Sequence, residues 1–146
     1  MSLPELLNLS TEEEYKNHFI NEYCNKSPIA TFDGLPVMFY PEMFEHSFYK
    51  RTRANWRAPK DQMDIDRCQR MPWIKAVLND STIVPRQGYD KARNRYDNDN
   101  RVTFLAPNNY VVVIRKAGSN WRFVTAYLVD NAAAASKIQA SPPWHA

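Results

Sequence analysis

His46, in the segment "MFEHSFYKR" (43–51), stands among residues suited to one kind of chemistry. Histidine is the side chain best matched to proton transfer near neutral pH, and here Lys50 and Arg51 follow with positive charge. Of the other two histidines, His18 falls within an apolar helical pattern and His145 within a proline-containing tail, so His46 is the acid–base candidate. A second group lies far along the chain in "NWRFVTAYLVD" (120–130), whose alternation reads as a strand. As a regular strand it puts Val124, Ala126 and Leu128 on a core face, and Trp121, Phe123, Thr125 and Tyr127 on the other. Hydroxyls and aromatic rings on one sheet face suit a phosphate group and a nucleobase. Ordinary half-burial is the plain alternative, because aromatic and β-branched residues favour strands.

The stretch before it, "NYVVVIRK" (109–116), reads as a partner strand joined through "AGSN" (117–120). That turn pairs Lys116 with Trp121, Ile114 with Phe123, Val112 with Thr125 and Tyr110 with Tyr127, and paired residues share a face. Lys116 then projects beside Thr125 and Tyr127. A slip of one residue puts Arg115 there instead, because register slip exchanges faces.

Other chemistries find little purchase. The chain has no HExxH, no GxSxG and no P-loop, and only three glycines. Asp64-x-Asp66 and Asp97-x-Asp99 have carboxylate spacing for a cation, but both lie in or beside polar loops and read as exposed acids. Cys24 and Cys68 are too few for a zinc site or a disulfide framework and read as free thiols of a reducing compartment. No metal and no cofactor is expected.

Net charge is +3, unevenly spread. Residues 1–48 carry eight acids and two bases, whereas residues 49–146 carry 17 bases and eight acids. A basic C-terminal two-thirds points to a polyanionic partner. Its densest stretches are "KRTRANWR" (50–57), with Lys50, Arg51, Arg53 and Arg57, and "RQGYDKARNRYDNDNR" (86–101), with Arg93 and Arg95. There is no apolar run of the length that spans a membrane, and the acidic start has no basic region of a secretory signal. A cytoplasmic protein is expected.

These side chains need elements to position them. Residues 8–25 read as a helix, with Ser10 and Glu13 as a capping box and Tyr15, Phe19, Ile20, Tyr23 and Cys24 on its apolar side. Residues 29–40 suggest a hairpin around Asp33-Gly34, and 41–51 a helical turn. Residues 52–65 read as a basic loop. Residues 66–80 read as a second helix, capped by Asp66 with Gln69 and kinked or started at Pro72. Residues 81–85 suggest a short strand and 86–101 a polar loop. Three strands follow over 101–106, 109–116 and 121–130, then a short helix and a C-terminal arm over 139–146. The expected fold class is α+β: one domain over 1–146, with N-terminal helices on a roughly four-stranded antiparallel sheet.

"FEHSFYKR" (44–51), "DRCQRMPWIKAVLND" (66–80), "YVVVIRK" (110–116) and "FVTAYLVD" (123–130) occur in that order. The series resembles the phage-associated members of the barnase–EndoU–colicin–RelE (BECR) nuclease superfamily over roughly residues 35–138. The resemblance implies metal-independent RNA cleavage, in which a ribose 2′-hydroxyl attacks the adjacent phosphorus to leave a 2′,3′-cyclic phosphate. It implies His46 as the acid–base residue and Arg67 or Arg70 approaching the phosphate. Thr125 would bond a phosphate oxygen, and Tyr127 would stack a base or assist proton transfer. The glutamate base of barnase-like members has no clear counterpart, although Glu42 and Glu45 flank His46. RNA such as tRNA would be the substrate, and an acidic antitoxin or immunity protein a partner. Two other readings compete: a non-catalytic nucleic-acid-binding module of the same fold, and a phage protein whose basic face binds an acidic protein.

Overall fold

The computed structural model describes residues 3–52, 57–90 and 93–145, without the side chains at 89, 90, 98 and 99. The chain is α+β. Its main sheet has six strands in the order β1-β2-β8-β7-β6-β5. These are β1 (Ile29–Ala30), β2 (Pro36–Met38), β5 (Arg86–Asp90), β6 (Arg95–Leu105), β7 (Tyr110–Ala117) and β8 (Asn120–Leu128). A separate two-stranded ribbon joins β3 (Tyr49–Lys50) to β4 (Gln62–Met63). The expected four-stranded antiparallel sheet is therefore corrected. β5 to β8 do pair antiparallel in chain order, but β2 adds in parallel against β8, and β1 closes the edge.

The helices are α1 (Glu12–Phe19), continued by a π-turn through Cys24, α2 (Met43–Ser47), α3 (Ile65–Gln69), α4 (Met71–Leu78) and α5 (Ala132–Gln139). The α1 cap sits one residue later than the Ser10 box: Thr11 Oγ1 accepts from the Glu14 N–H at 3.1 Å. The expected helix over 66–80 is two helices. Asp64, rather than Asp66, caps α3, and the break at Arg70 lets Pro72 start α4, where its missing N–H costs no hydrogen bond.

Three further expectations change. Residues 81–85 form turns, and the strand begins at Arg86. The polar stretch 86–101 supplies β5 and much of β6, held by backbone pairing despite its lack of apolar alternation. The C-terminal arm is pinned: Gln87 N–H donates to Pro142 O and Trp144 N–H to Pro85 O, each at 2.8 Å. Trp144 is buried and meets the Trp121 ring edge-on at 5.4 Å.

The helical side of the sheet carries an aromatic core. Phe19 meets the rings of Tyr23, Phe39, Phe44 and Phe48 at centroid distances of 5.3–6.2 Å. Phe123 stacks on Phe39 at 5.0 Å. Tyr23 donates to the Met71 carbonyl, and Tyr110 packs edge-on against Trp73.

This core holds several weak acids in neutral form. Burial pushes the Cys68 thiol up to about 12 and the half-buried Cys24 thiol up to about 11. It also raises the Tyr23 and Tyr110 phenols well above their ordinary value of 10.0. An unfolded chain ionises its thiols near 9.0 and its phenols near 10.0. Above those values the folded state holds more protons, so stability is full below the unfolded values and falls as pH rises through them. The urea midpoint is expected to hold from neutrality to about pH 9 and then decline. A midpoint level through pH 10 would mean that these groups titrate as they do in water.

Candidate functional site

The two strands of the β7–β8 hairpin pair first as a regular ladder, with Lys116 opposite Trp121 and Ile114 opposite Phe123. The register then shifts, and Val113 lies opposite Thr125, Val112 opposite Ala126 and Val111 opposite Tyr127. Val124 is the extra residue of a β-bulge. The bulge corrects the expected faces: Trp121 and Phe123 join Ala126 in the core, while Thr125 and Tyr127 stand on the opposite face with Val113 and Val111. Arg115, two residues from Val113, shares that face; Lys116, opposite Trp121, does not.

β2 pairs with β8 only at Trp121 and Arg122. Beyond that point α2 and α3 cover the strand. Ser47, itself buried, donates its hydroxyl to the Val124 carbonyl at 2.7 Å, so the bulge is anchored to α2. Arg67 then reaches over from α3. Its Nη1 lies 3.0 Å from the Ser47 carbonyl and 3.5 Å from Thr125 Oγ1, and its Nε lies 3.5 Å from Asp64 Oδ2. The guanidinium carbon sits 5.4 Å from the centre of the Tyr127 ring. Guanidinium carries five N–H donors. Both on Nη2 have no protein partner among the described residues, which equips Arg67 to hold an anionic oxygen in the plane of its fork.

Arg67, Arg70, Tyr110 and Tyr127 line a cleft of about 480 Å³ together with Asp64, Asp66 and Asp130. Of the two helix arginines named from sequence, Arg67 touches Thr125. Arg70 lies over Trp73 at 5.1 Å, donates to the Asp66 carbonyl, and keeps a buried Nε with no hydrogen-bond partner. Although three aspartates line this cleft, among the described residues no group of three or more His, Cys, Asp or Glu is placed to hold a metal ion.

His46 is exposed on the last turn of α2, and the cleft lining does not include it. Its link to the site runs through its backbone: its carbonyl accepts from Lys60 Nζ, beside the Ser47 carbonyl that holds Arg67. Burial first, then the charges of Arg67 and Arg51, lower the Lys60 pKa from the usual lysine value. Lys60 was invisible among the bases of its loop because its only sequence signal was charge. Lys50 is exposed on β3, and Arg51 is exposed with its Nε donating to the Ala58 carbonyl at 2.6 Å. Arg57 is exposed, as are Arg93 and Arg95 near the β5–β6 turn. Arg53 lies outside the described residues.

Compared with protein-family models, with curated proteins and with solved structures, the chain finds no match. Among the described residues no helix is long and apolar enough to cross a membrane.

Proposed function

We propose that this protein is a metal-independent endoribonuclease of the BECR type, acting as a toxin or phage effector in the cytoplasm. One observation carries the reading: Arg67 from a helix meets Thr125 and Tyr127 on the last long strand, with donors to spare. The 2′-hydroxyl would lose its proton to a base and attack phosphorus. The 5′-oxygen would leave with a proton, giving a 2′,3′-cyclic phosphate and a 5′-hydroxyl. Arg67 and the Thr125 hydroxyl would stabilise charge on the phosphorane oxygens, Tyr127 would support a base, and Arg70 would extend the positive rim. His46, one residue from the carbonyl that holds Arg67, would move the protons. The six-stranded mixed sheet departs from the four strands of the family pattern. An enzyme of this kind would require an acidic inhibitor protein as partner.

A second reading, a non-catalytic RNA-binding module, is favoured by one fact: the His46 side chain is not part of the cleft lining. Incubation of the pure protein with total RNA or with tRNA in EDTA, followed by end-group analysis, separates the two. Cyclic phosphate ends, lost in a folded His46→Ala variant, are the expected result. Cleavage undiminished in that variant would remove His46 from the mechanism. Salt-sensitive RNA binding without cleavage would leave the binding module.

A further inference from the structure

The face that carries Thr125 also carries a row of arginines. Arg101 on β6 is directly opposite Arg115 on β7, and Arg115 is directly opposite Arg122 on β8. Like charges in direct register destabilise a sheet. Among the described residues none of the three has an ion-pair partner. Arg101 and Arg115 are exposed. Arg122 is half-buried, its guanidinium lies over the Tyr40 ring at 4.9 Å, and its buried Nε has no hydrogen-bond partner. At the far end the Arg101 stem lies against Gly88, where an added Cβ would come within 2.3 Å of Arg101 Cγ. A glycine thus makes room for one end of the row.

We infer that this row holds the sugar–phosphate backbone of a single-stranded nucleic acid that runs across the sheet from the Arg67–Thr125 site. With neighbouring strands about 4.8 Å apart, the row is roughly 10 Å long. It lies one step along β7 from Val113, the partner of Thr125, a separation of about 7 Å. A chain bound at Thr125 therefore has cations beside it at once. A row of arginines, exposed at Arg101 and Arg115 and with the Tyr40 ring beside Arg122, matches single strands, whose backbone follows charge while bases stack. The bound polyanion compensates the repulsion that the register imposes. The inference rests on the RNA reading above for the identity of the strand, but not on cleavage.

The test uses a fluorescein-labelled, fully 2′-O-methylated oligouridylate, which has no 2′-hydroxyl to attack and reports binding alone by anisotropy. Single-strand binding loses about 0.7 log units per decade of salt for each phosphate neutralised. The combined Arg101→Gln, Arg115→Gln, Arg122→Gln variant is thus expected to flatten the log–log salt slope by about 2 and to bind roughly 100-fold more weakly at 0.1 M salt. Its thermal midpoint should equal or exceed that of the wild type, because repulsion has been removed. Should it fail to fold, the exposed Arg115→Gln single variant should still flatten the slope by about 0.7. Wild-type affinity and slope in these variants overturn the inference, as does wild-type protein that binds polyglutamate and ignores the oligonucleotide. Loss of the salt slope in the variants together with no cleavage of natural RNA by wild type would sink the enzyme reading and leave this one standing.

Discussion

Arg67→Lys is expected to lower RNA cleavage by roughly 100- to 1,000-fold, the cost of removing one well-placed donor to a developing oxyanion. Lysine keeps the charge and loses the fork. Arg67 touches the Ser47 carbonyl, the Thr125 hydroxyl, the Asp64 carboxylate and the Tyr127 ring together. An ammonium can reach one or two of these, and it cannot also keep spare donors fixed in the guanidinium plane for a phosphate oxygen. Because the charge persists, oligonucleotide affinity and its salt slope should change little, so the loss falls on turnover under saturating RNA. Folding should weaken by only about 1 kcal/mol, the net worth of a typical hydrogen bond. Single-turnover cleavage beside a thermal melt decides the matter. A variant that cleaves at the wild-type rate would make Arg67 a brace between α3, α2 and β8, and nothing more.

Phe19→Ala should be among the most destabilising single changes, at about 3–5 kcal/mol. Phe19 is fully buried and touches four aromatic rings, so truncation leaves a cavity whose walls are stiff and fill poorly. Domains of this size are stable by only about 5–15 kcal/mol, so the loss is a large share of the whole. Two of the rings, Phe44 and Phe48, flank Ser47, which anchors the bulge and receives Arg67. Loosening this cluster should therefore also slow RNA cleavage in the fraction that remains folded. Urea unfolding measures the first effect. A cost below about 1 kcal/mol would show that the ring cluster closes over the gap.

Much of the site's raw material was legible in the chain. Hydroxyl and ring at a spacing of two, 125 and 127, must share a face of any regular strand, and they do. The glycine of the hairpin turn, Gly118 at φ 63°, sets the first pairs, Lys116 with Trp121 and Ile114 with Phe123, as the turn implied. Regular alternation fails past Phe123. A bulge leaves no mark in composition; its extra residue is held by Ser47, 77 residues away, whose hydroxyl donates to the Val124 carbonyl. The same displacement decides that Arg115, and not Lys116, accompanies Thr125. It also puts Arg122 on the face of Thr125, in line with Arg115 and Arg101.

By itself the sequence determined the α+β class, the hairpin of the last two strands, the basic C-terminal two-thirds and the apolar stripes of the helices. These follow from local periodicity, turn chemistry and charge, which a reader can take from neighbouring residues. Tertiary structure alone decided three things. It made strands of the polar residues 86–101, because backbone pairing needs a partner edge and not an apolar pattern. It chose Arg67 over Arg70 as the partner of Thr125, because the helix break at Arg70 aims the two guanidinium groups at different neighbours. It set three like charges side by side, because register between distant strands follows from core packing on the other face of the sheet.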